Sequence, residues 1–291
     1  MFKGLIVNAD GFGFTAGVNR GIIETIEKGI VRSTSVLANM PSIDEVADLA
    51  KRFPDISIGI HLNLTVGRPV SPPDEVGSLV NEEGEFLGAA FVGRLLSGGI
   101  RMSEMILELD RQVERLLEFG VKPTHFDGQE NKHLYPPFFI AAIKVAKKRG
   151  ISMMRSHNRY LFIRTSRRGI NVARYYLSHP RSLGTHSFAR LLMLFAHLQG
   201  LRTADRLITP GYADESSKVS LRSWIGIIEN LPNGINEIYC HPGYVDGRLA
   251  DYTYYVKERE IEVSVLTSPE LKKALARDGV QLMSFKDLQN I

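Results

Sequence analysis

The chain is organised around one polar stretch, Thr124-His125-Phe126-Asp127-Gly128-Gln129-Glu130-Asn131-Lys132-His133-Leu134-Tyr135-Pro136. It holds two histidines, two carboxylates and two amides, and a core tolerates such groups only where each finds a hydrogen-bond partner. Helical patterns flank it at Met102–Phe119 and Pro137–Lys148, so we interpret it as a strand end and the loop that follows. α/β enzymes hold their chemistry at such places. A solvated connection is the alternative, although connections are more often rich in Gly, Ser and Lys.

Strand and helix patterns alternate along the chain. The predicted strands are Leu5–Ala9, Ser33–Asn39, Ile56–Leu64, Pro123–Asp127, Ile151–Arg155, Ile235–His241 and Val280–Phe285. The other predicted helices are Val18–Gly29, Ile43–Phe53, Phe188–Leu201, Leu221–Leu231, Lys257–Leu266 and Ser268–Arg277. This alternation predicts a parallel sheet, open or closed into a barrel. Since no repeat or linker interrupts it, we predict one domain over residues 1–291, with a basic and apolar helical insertion at about 155–206.

Composition limits the class of protein. Hydrophobic residues make up 44% of the 291 residues and charged residues 23%, as in ordinary globular proteins. No apolar run reaches the roughly 18 to 20 residues that cross a bilayer, and the N-terminus lacks the apolar region of a signal peptide. A single cysteine, Cys240, excludes an internal disulfide framework and a cysteine zinc cluster. We therefore predict a cytoplasmic location.

The predicted insertion carries an uneven charge. Its arginines are Arg155, Arg159, Arg164, Arg167, Arg168, Arg174, Arg181, Arg190, Arg202 and Arg206, against one acid, Asp205. An anionic membrane or an acidic substrate suits such a segment, and so does a solvated helix face; no nucleic-acid motif is present, so we predict no nucleic-acid partner.

The same segment contains an apolar helix. Its residues Leu191, Leu192, Leu194, Phe195 and Leu198 are predicted to form one buried face. Contact with a membrane surface or an acyl chain is the alternative.

Four polar residues share one position in the pattern. Asp10, His61, His125 and His241 each lie at or just beyond the end of a predicted strand, and parallel strands bring these ends to one face. Two imidazoles and a carboxylate suit a divalent metal, which polarises a carbonyl and lowers the pKa of bound water. With a further carboxylate as base and a histidine as acid, the set fits hydrolysis of an amide or ester. For any one histidine alone, a structural hydrogen-bonding role is the alternative.

Five motifs resemble one family. They are Asn8-Ala9-Asp10-Gly11-Phe12-Gly13, Gly17-Val18-Asn19-Arg20-Gly21-Ile22-Ile23, Gly59-Ile60-His61-Leu62-Asn63-Leu64, Thr124-His125-Phe126-Asp127 and His241-Pro242-Gly243. In this order, from about residue 3 to residue 285, the chain resembles the YdjC-like carbohydrate deacetylases. Within the family it looks closest to the branch associated with hopanoid biosynthesis, on the basis of residues 68–70, 73–80, 258–262 and 266–271.

The resemblance implies an irregular β/α barrel, TIM-like, that removes acetyl from an N-acetylated sugar with a divalent metal, Mg or Zn. In the hopanoid branch the sugar is carried on a polycyclic lipid, which makes the substrate a glycolipid. His61 and His125 match the family's metal-binding histidines. Asp10 matches the general base, and His241 resembles the donor of a proton to the departing amine. An oligomer is compatible with these expectations.

The chain departs from the family pattern at two places. The family has Asn-Ala-Asp-Asp-Phe-Gly where this chain has Gly11 as the fourth residue, and the missing aspartate is the expected carboxylate ligand. The family also follows His-x-Asp with Ser-His-x-His-x-His, of which only His133 is kept here.

Three interpretations of these departures follow. Asp10 becomes the metal ligand and leaves the base role to Asp127 or to water. Alternatively, Glu130 supplies the carboxylate. In the third, the protein is a catalytically altered or inactive relative that binds a glycan or a lipid-linked sugar.

Supporting residues are expected around this centre. Asp127 is a candidate for orienting a ligand histidine, and Arg259 for holding Asp10 through an ion pair. Glu130 and His133 belong to the same loop. Tyr254 and Tyr255 are not assigned to the site, because aromatic residues beside a helix start are common at surfaces.

Overall fold

The structure is a computed structural model, and it describes residues 2–161, 168–208 and 219–290. Its described strands form one nine-stranded sheet whose pairs are all parallel. The strands are β1 (Lys3–Phe12), β2 (Ser33–Val36), β3 (Ser57–Leu62), β4 (His125–Gly128), β5 (Met153–Met154), β6 (Arg159–Tyr160), β7 (Arg206–Ile208), β8 (Gly234–Cys240) and β9 (Gln281–Met283).

The sheet is curled into an irregular β/α barrel. Across it the strands follow the order β5-β4-β3-β2-β1-β8-β7-β6, and β9 pairs with β1 at Gly4–Ile6. An isolated parallel bridge joins Met153 of β5 to Arg202, in the segment that leads into β7. The predicted fold class is therefore confirmed.

The described helices surround the sheet. They are α1 (Ala16–Glu27), α2 (Val46–Arg52), α3 (Phe91–Leu96), α4 (Met102–Glu118), α5 (Pro136–Arg149), α6 (Arg168–Ser178), α7 (Pro180–Leu198), α8 (Leu221–Glu229), α9 (Glu258–Leu266) and α10 (Pro269–Arg277). Every predicted helix is present with shifted ends. The patterns missed the helices α3 and α6 and the strands β6 and β7. The two strands have only two and three residues, which is too short to show a period.

The apolar helix α7 differs from its prediction. Leu192 is buried, but Leu191, Leu194, Phe195 and Leu198 are 63%, 58%, 41% and 75% exposed. The buried side of the helix consists instead of His186, Ala189, Leu192, Met193 and Ala196. Periodicity failed because both sides of α7 are apolar, so the apolar stripe did not mark the side that packs.

The arginines of the predicted insertion do not form one group. Arg164 and Arg167 lie outside the described residues, as does the side chain of Arg168. Arg174, Arg181 and Arg190 are exposed on α6 and α7, whereas Arg155 is 1% exposed. In the described part of the chain, no helix combines the length and the apolar character needed to span a bilayer, and the cytoplasmic location stays a prediction.

Strand register places the polar residues of the barrel in neighbouring rows. Asp10 of β1 pairs with Ser35 of β2, and His61 of β3 pairs with Asp127 of β4. Because alternate residues of a strand face the same side, Asn8 lies one row below Asp10, and His125 one row below Asp127. The upper row therefore contains Asp10, His61 and Asp127.

Candidate active site

A cavity of about 420 Å³ opens at the carboxyl ends of the strands. Asp10, His61, Arg155 and His241 line it. The wall also includes Phe14, Gln129, Glu130, Tyr239, Tyr254, Tyr255 and Arg259. The structure thus brings together three of the four predicted strand-end residues, and His125 is not among the residues that line this cavity.

Arg155, directly after β5, is the centre of the polar network. Its guanidinium donates to both carboxylate oxygens of Asp10, Nη1 to Oδ2 at 2.7 Å and Nη2 to Oδ1 at 2.5 Å. Nη2 also lies 2.5 Å from Oδ2 of Asp127, and Nε donates to Oε1 of Glu237 at 3.1 Å. One buried cation therefore joins three buried carboxyl groups from β1, β4 and β8.

This network shifts the pKa of its members. Burial alone would raise the pKa of Asp127, but Arg155 and His61 outweigh it and lower that pKa below its usual range. Burial would lower the pKa of Arg155, and Asp10 and Asp127 raise it well above its ordinary value instead. For Glu237 burial prevails over Arg155 and raises the pKa to about 7. At neutral pH the arginine and Asp127 therefore form a charged pair.

His61 is fixed by two neighbours. Its Nδ1 lies 2.6 Å from Oδ1 of Asp127, and its Nε2 lies 3.0 Å from Oε1 of Gln129. Burial would lower the pKa of His61, but the adjacent Asp127 carboxylate gives a net rise. Asp127 therefore contacts this histidine directly and favours its protonated form, and the orienting role predicted for Asp127 stays a prediction.

His241 follows β8 and faces Asp10 across the cavity. Its Nε2 lies 3.9 Å from Oδ2 of Asp10, and the side chain is 32% exposed. The backbone N–H of His241 donates to Glu262, and its carbonyl oxygen accepts from Arg259. Burial lowers the pKa of His241 to about 4 in spite of Asp10, so the imidazole is neutral at physiological pH.

His125 lies below the cavity, away from the other candidates. Its Nε2 hydrogen-bonds to Oδ1 of Asn8 at 3.2 Å and its Nδ1 to Thr124 at 2.9 Å, while its ring stacks on Phe285. Asn8 in turn donates to Oδ1 of Asp10 at 2.8 Å. His125 therefore supports Asp10 through Asn8, because it lies one row deeper than a common ligand would need.

The other loop candidates also take separate places. His133 is buried, with Nε2 3.1 Å from Nε2 of His157. Glu130 is exposed at the cavity wall and lies 3.6 Å from Lys132, outside the group of buried carboxylates. Arg259 contacts the carbonyl oxygens of Tyr255 and His241. The arginine that holds Asp10 is Arg155 rather than the expected Arg259.

Sequence reasoning left Arg155, Gln129, Tyr254 and Tyr255 out of the site. Arg155 ends the predicted strand Ile151–Arg155, so the strand-end rule that selected Asp10 would have selected it too. It was instead counted among the arginines of the basic segment. Gln129 lies in the polar loop, at a position where the family pattern has a histidine. Tyr254 and Tyr255 were set aside because aromatic residues beside a helix start are common at surfaces.

Comparison with known proteins agrees with this fold. The family model described as YdjC-like protein matches residues 4–277. The chain belongs to the YdjC-like family. A carbohydrate deacetylase from Geobacillus stearothermophilus is 34% identical over 289 residues, covering 98% of both chains. One from Thermoanaerobacter pseudethanolicus is 30% identical, covering 99% of this chain and 100% of its own. The crystal structure of a putative cellobiose-phosphate cleavage protein from Enterococcus faecalis has a TM-score of 0.78, 29% identity and 99% coverage of each chain.

Among the residues that the structure describes, Asp10, His61 and Asp127 form a group that could hold a metal ion, each offering one ligand atom within 4.8 Å of the others. The group contains His61, one of the two expected metal-binding histidines, and Asp10, the ligand in the first of the three interpretations above, while Asp127 takes the place of His125. All its ligand atoms are already bonded, to Arg155, Gln129 or one another. A divalent ion does not fit this arrangement unless Arg155 or Gln129 moves away.

Four residues that line the cavity depart from the YdjC-like pattern described above. Gly11 stands where the pattern has an aspartate, Gly128 where it has a serine, and Gln129 and Asn131 where it has histidines. Gly11 lies at the irregularity between Asp10 and Phe12 in the β1–β2 pairing, with φ of 95°. A Cβ added there would lie 2.8 Å from the Phe14 ring, so residue 11 cannot carry a ligand side chain unless that ring shifts.

Proposed function

We propose that this protein is a carbohydrate deacetylase that hydrolyses the acetamido group of an N-acetylated sugar. The observation that carries the proposal is the pair formed by His241 and Asp10, which face each other across the cavity at 3.9 Å. The names of the two bacterial relatives support the same activity. Tyr254 and Tyr255 line the wall, and aromatic rings of this kind can pack on a sugar.

In this proposal His241 moves the proton. Neutral Nε2 takes a proton from water while the water oxygen bonds to the acetyl carbon. The same proton then passes from His241 to the amine nitrogen as the C–N bond breaks, which gives acetate and the amino sugar. The resemblance implied Asp10 as the base, but both its oxygens accept from Arg155. Asp10 therefore stabilises the imidazolium that forms on His241.

His61 has a different role in the reaction. Its raised pKa favours the imidazolium form, with Nε2 beside Gln129 at the cavity wall. The positive charge of this imidazolium stabilises the oxygen of the acetyl carbonyl as that oxygen gains negative charge, while its Nε2–H stays bonded to Gln129. A divalent metal would supply the same stabilisation in the reaction expected from the resemblance. Because the bonded donor atoms do not accommodate one, no step of the proposed reaction depends on it.

The first test is acetate release from N-acetylglucosamine and its short oligomers, measured as a function of pH. We expect kcat/KM to stay constant as pH falls until it approaches about 4, the pKa to which burial lowers His241. Below that value His241 is protonated and cannot accept the proton of water. On the alkaline side, activity should fall above the ordinary pKa of histidine, as His61 loses its proton. An acidic limb near the ordinary histidine value would contradict the role given to His241.

The alternative function is binding of a glycan or lipid-linked sugar without catalysis. Gly11 favours it, because it stands where the family pattern has the expected carboxylate ligand. Calorimetry with the same oligomers distinguishes the two, since binding without acetate release would replace the deacetylase proposal with this one.

The outer face of α7 supports contact with an anionic membrane, where a glycolipid substrate would be found. Leu191, Leu194 and Leu198 lie three to four residues apart and are exposed, so they share one side of the helix. Leu183, eight residues before Leu191, is also exposed. Phe188 and Phe195 extend this exposed apolar surface. Arg174 is exposed on α6, and Arg181 and Arg190 are exposed on α7. Apolar side chains with flanking arginines are typical of helices that lie on anionic bilayers.

We therefore expect the purified protein to sediment with vesicles containing phosphatidylserine at low salt, and less at high salt, where charges are screened. The variant with Leu191→Ser and Leu194→Ser should stay in the supernatant, because it loses apolar area on that face. Vesicles of phosphatidylcholine alone provide the control. Absence of the wild-type protein from the pellet at low salt would remove the membrane proposal and leave the deacetylase proposal intact.

A further inference from the structure

We propose that the active site works without a divalent metal, because the Arg155 guanidinium is its resident cation. This inference rests on the proposed deacetylase function and concerns the chemistry of the same cavity. It follows from the bonding of Asp10, His61 and Asp127, and from the geometry at Gly11.

Arg155 already supplies the positive charge beside Asp10 and Asp127. Arg155 is 1% exposed and lies within 2.7 Å of oxygens of both Asp10 and Asp127. A metal bound by the same carboxylates would lie about 2.0–2.2 Å from their oxygens. Two cations would then share two carboxylates in a buried site, where repulsion between like charges is weakly screened. Either the arginine or the metal has to leave.

Each ligand atom that Asp127 and His61 could offer a metal is already bonded to a neighbouring residue. Oδ1 of Asp127 is bonded to His61 and Oδ2 to Arg155, and Ser35 also donates to Oδ2 at 3.0 Å. Both ring nitrogens of His61 are engaged, by Asp127 and by Gln129. A metal could use the three ligand atoms of this group only after their bonds to Arg155 and Gln129 were broken.

The backbone at Gly11 leaves no room for a further ligand side chain. At Gly11 the backbone φ of 95° and the nearby Phe14 ring exclude a side chain in this arrangement. The bulge that holds Gly11 also leaves Asp10 aimed at Arg155. The backbone at Gly11 and the position of Arg155 are therefore consistent with the same kind of site, in which a fixed guanidinium takes the place of an exchangeable metal ion.

Arg155 holds Asp10 and Asp127 in place, which a metal would otherwise do, and a chelator cannot remove it. In the proposed reaction, Asp10 then stabilises His241, and Asp127 orients His61. Arg155 is a positioning residue in this scheme, because it acts on the reaction through Asp10 and Asp127 rather than through the reacting atoms.

The test compares metal binding and activity in the full-length protein. We expect the wild type to carry no stoichiometric Zn²⁺ or Mn²⁺ by elemental analysis, and to show no site for either ion by calorimetry. In Arg155→Met, Asp10, His61 and Asp127 lose their cation, so one equivalent of Zn²⁺ should bind. Arg277→Met, which removes an exposed arginine from two carboxylates, Glu229 and Asp278, is the matched control and should gain no metal.

Activity separates this inference from the function on which it rests. Acetate release by the wild type that is unchanged by EDTA supports both. Release that stops with EDTA and returns with a divalent ion overturns the metal-free site and leaves the deacetylase function standing. If no acetate is released under any condition, the function fails, and metal binding decides the inference: a wild-type Zn²⁺ or Mn²⁺ site overturns it. Should Arg155→Met not fold, the wild-type titrations alone give the same decision.

Discussion

Replacement of His241 by alanine is expected to lower kcat/KM for acetate release by about 10²- to 10⁴-fold, the usual contribution of a general acid–base group. The expectation follows from its position, because Nε2 faces Asp10 across the cavity at 3.9 Å. Substrate affinity should change little, since the walls that contain Tyr254 and Tyr255 remain. Steady-state kinetics with N-acetylglucosamine oligomers would measure both quantities.

The control for this variant is His197→Ala, because His197 is exposed on α7 and is not among the residues that line the cavity. It should retain wild-type kinetics. Wild-type turnover in His241→Ala would exclude His241 from proton transfer. The reaction would then need another base from the same cavity.

Replacement of Arg155 by methionine is expected to lower the free energy of unfolding by about 3–5 kcal/mol in metal-free buffer, as for other broken buried ion pairs. Methionine preserves most of the side-chain length but leaves Asp10 and Asp127 buried without their cation. Urea denaturation followed by circular dichroism would measure the change. The loss should become smaller when Zn²⁺ is added, because a bound ion stabilises the folded state.

The control for this measurement is Arg277→Met, whose arginine is 59% exposed in its ion pairs with Glu229 and Asp278. Exposed pairs contribute only about 0–1 kcal/mol. Equal losses in the two variants would show that Arg155 is not the cation that keeps the buried carboxylates in place.

The strand-end rule identified much of the site, but it did not predict which of the strand-end residues reach the cavity and which lie below it. Asp10, His61 and His241 do converge, as the parallel sheet requires. His125 obeys the same rule and faces the same side as Asp127, yet it lies one row lower and contacts Asn8 and Phe285. The sequence places a residue on a face of a strand, but the curvature of the barrel decides which row reaches the cavity.

Charge and apolar patterns misled for a related reason. Arg155 and Arg181 look alike in a count of basic residues, although one is buried among carboxylates and the other is exposed. Leu192 and Leu191 look alike in α7, where one packs inward and the other faces out. In both cases the partner that decides the outcome is distant in sequence, as Glu237 is from Arg155.

The central claim is that this YdjC-like chain removes acetyl groups with its own residues and no exchangeable metal. Acetate release by the wild type from N-acetylglucosamine oligomers, measured after dialysis against EDTA and again after addition of Zn²⁺, Mn²⁺ or Mg²⁺, tests it most directly. We predict equal rates in all four conditions. Activity that appears only when an ion is added would contradict the claim.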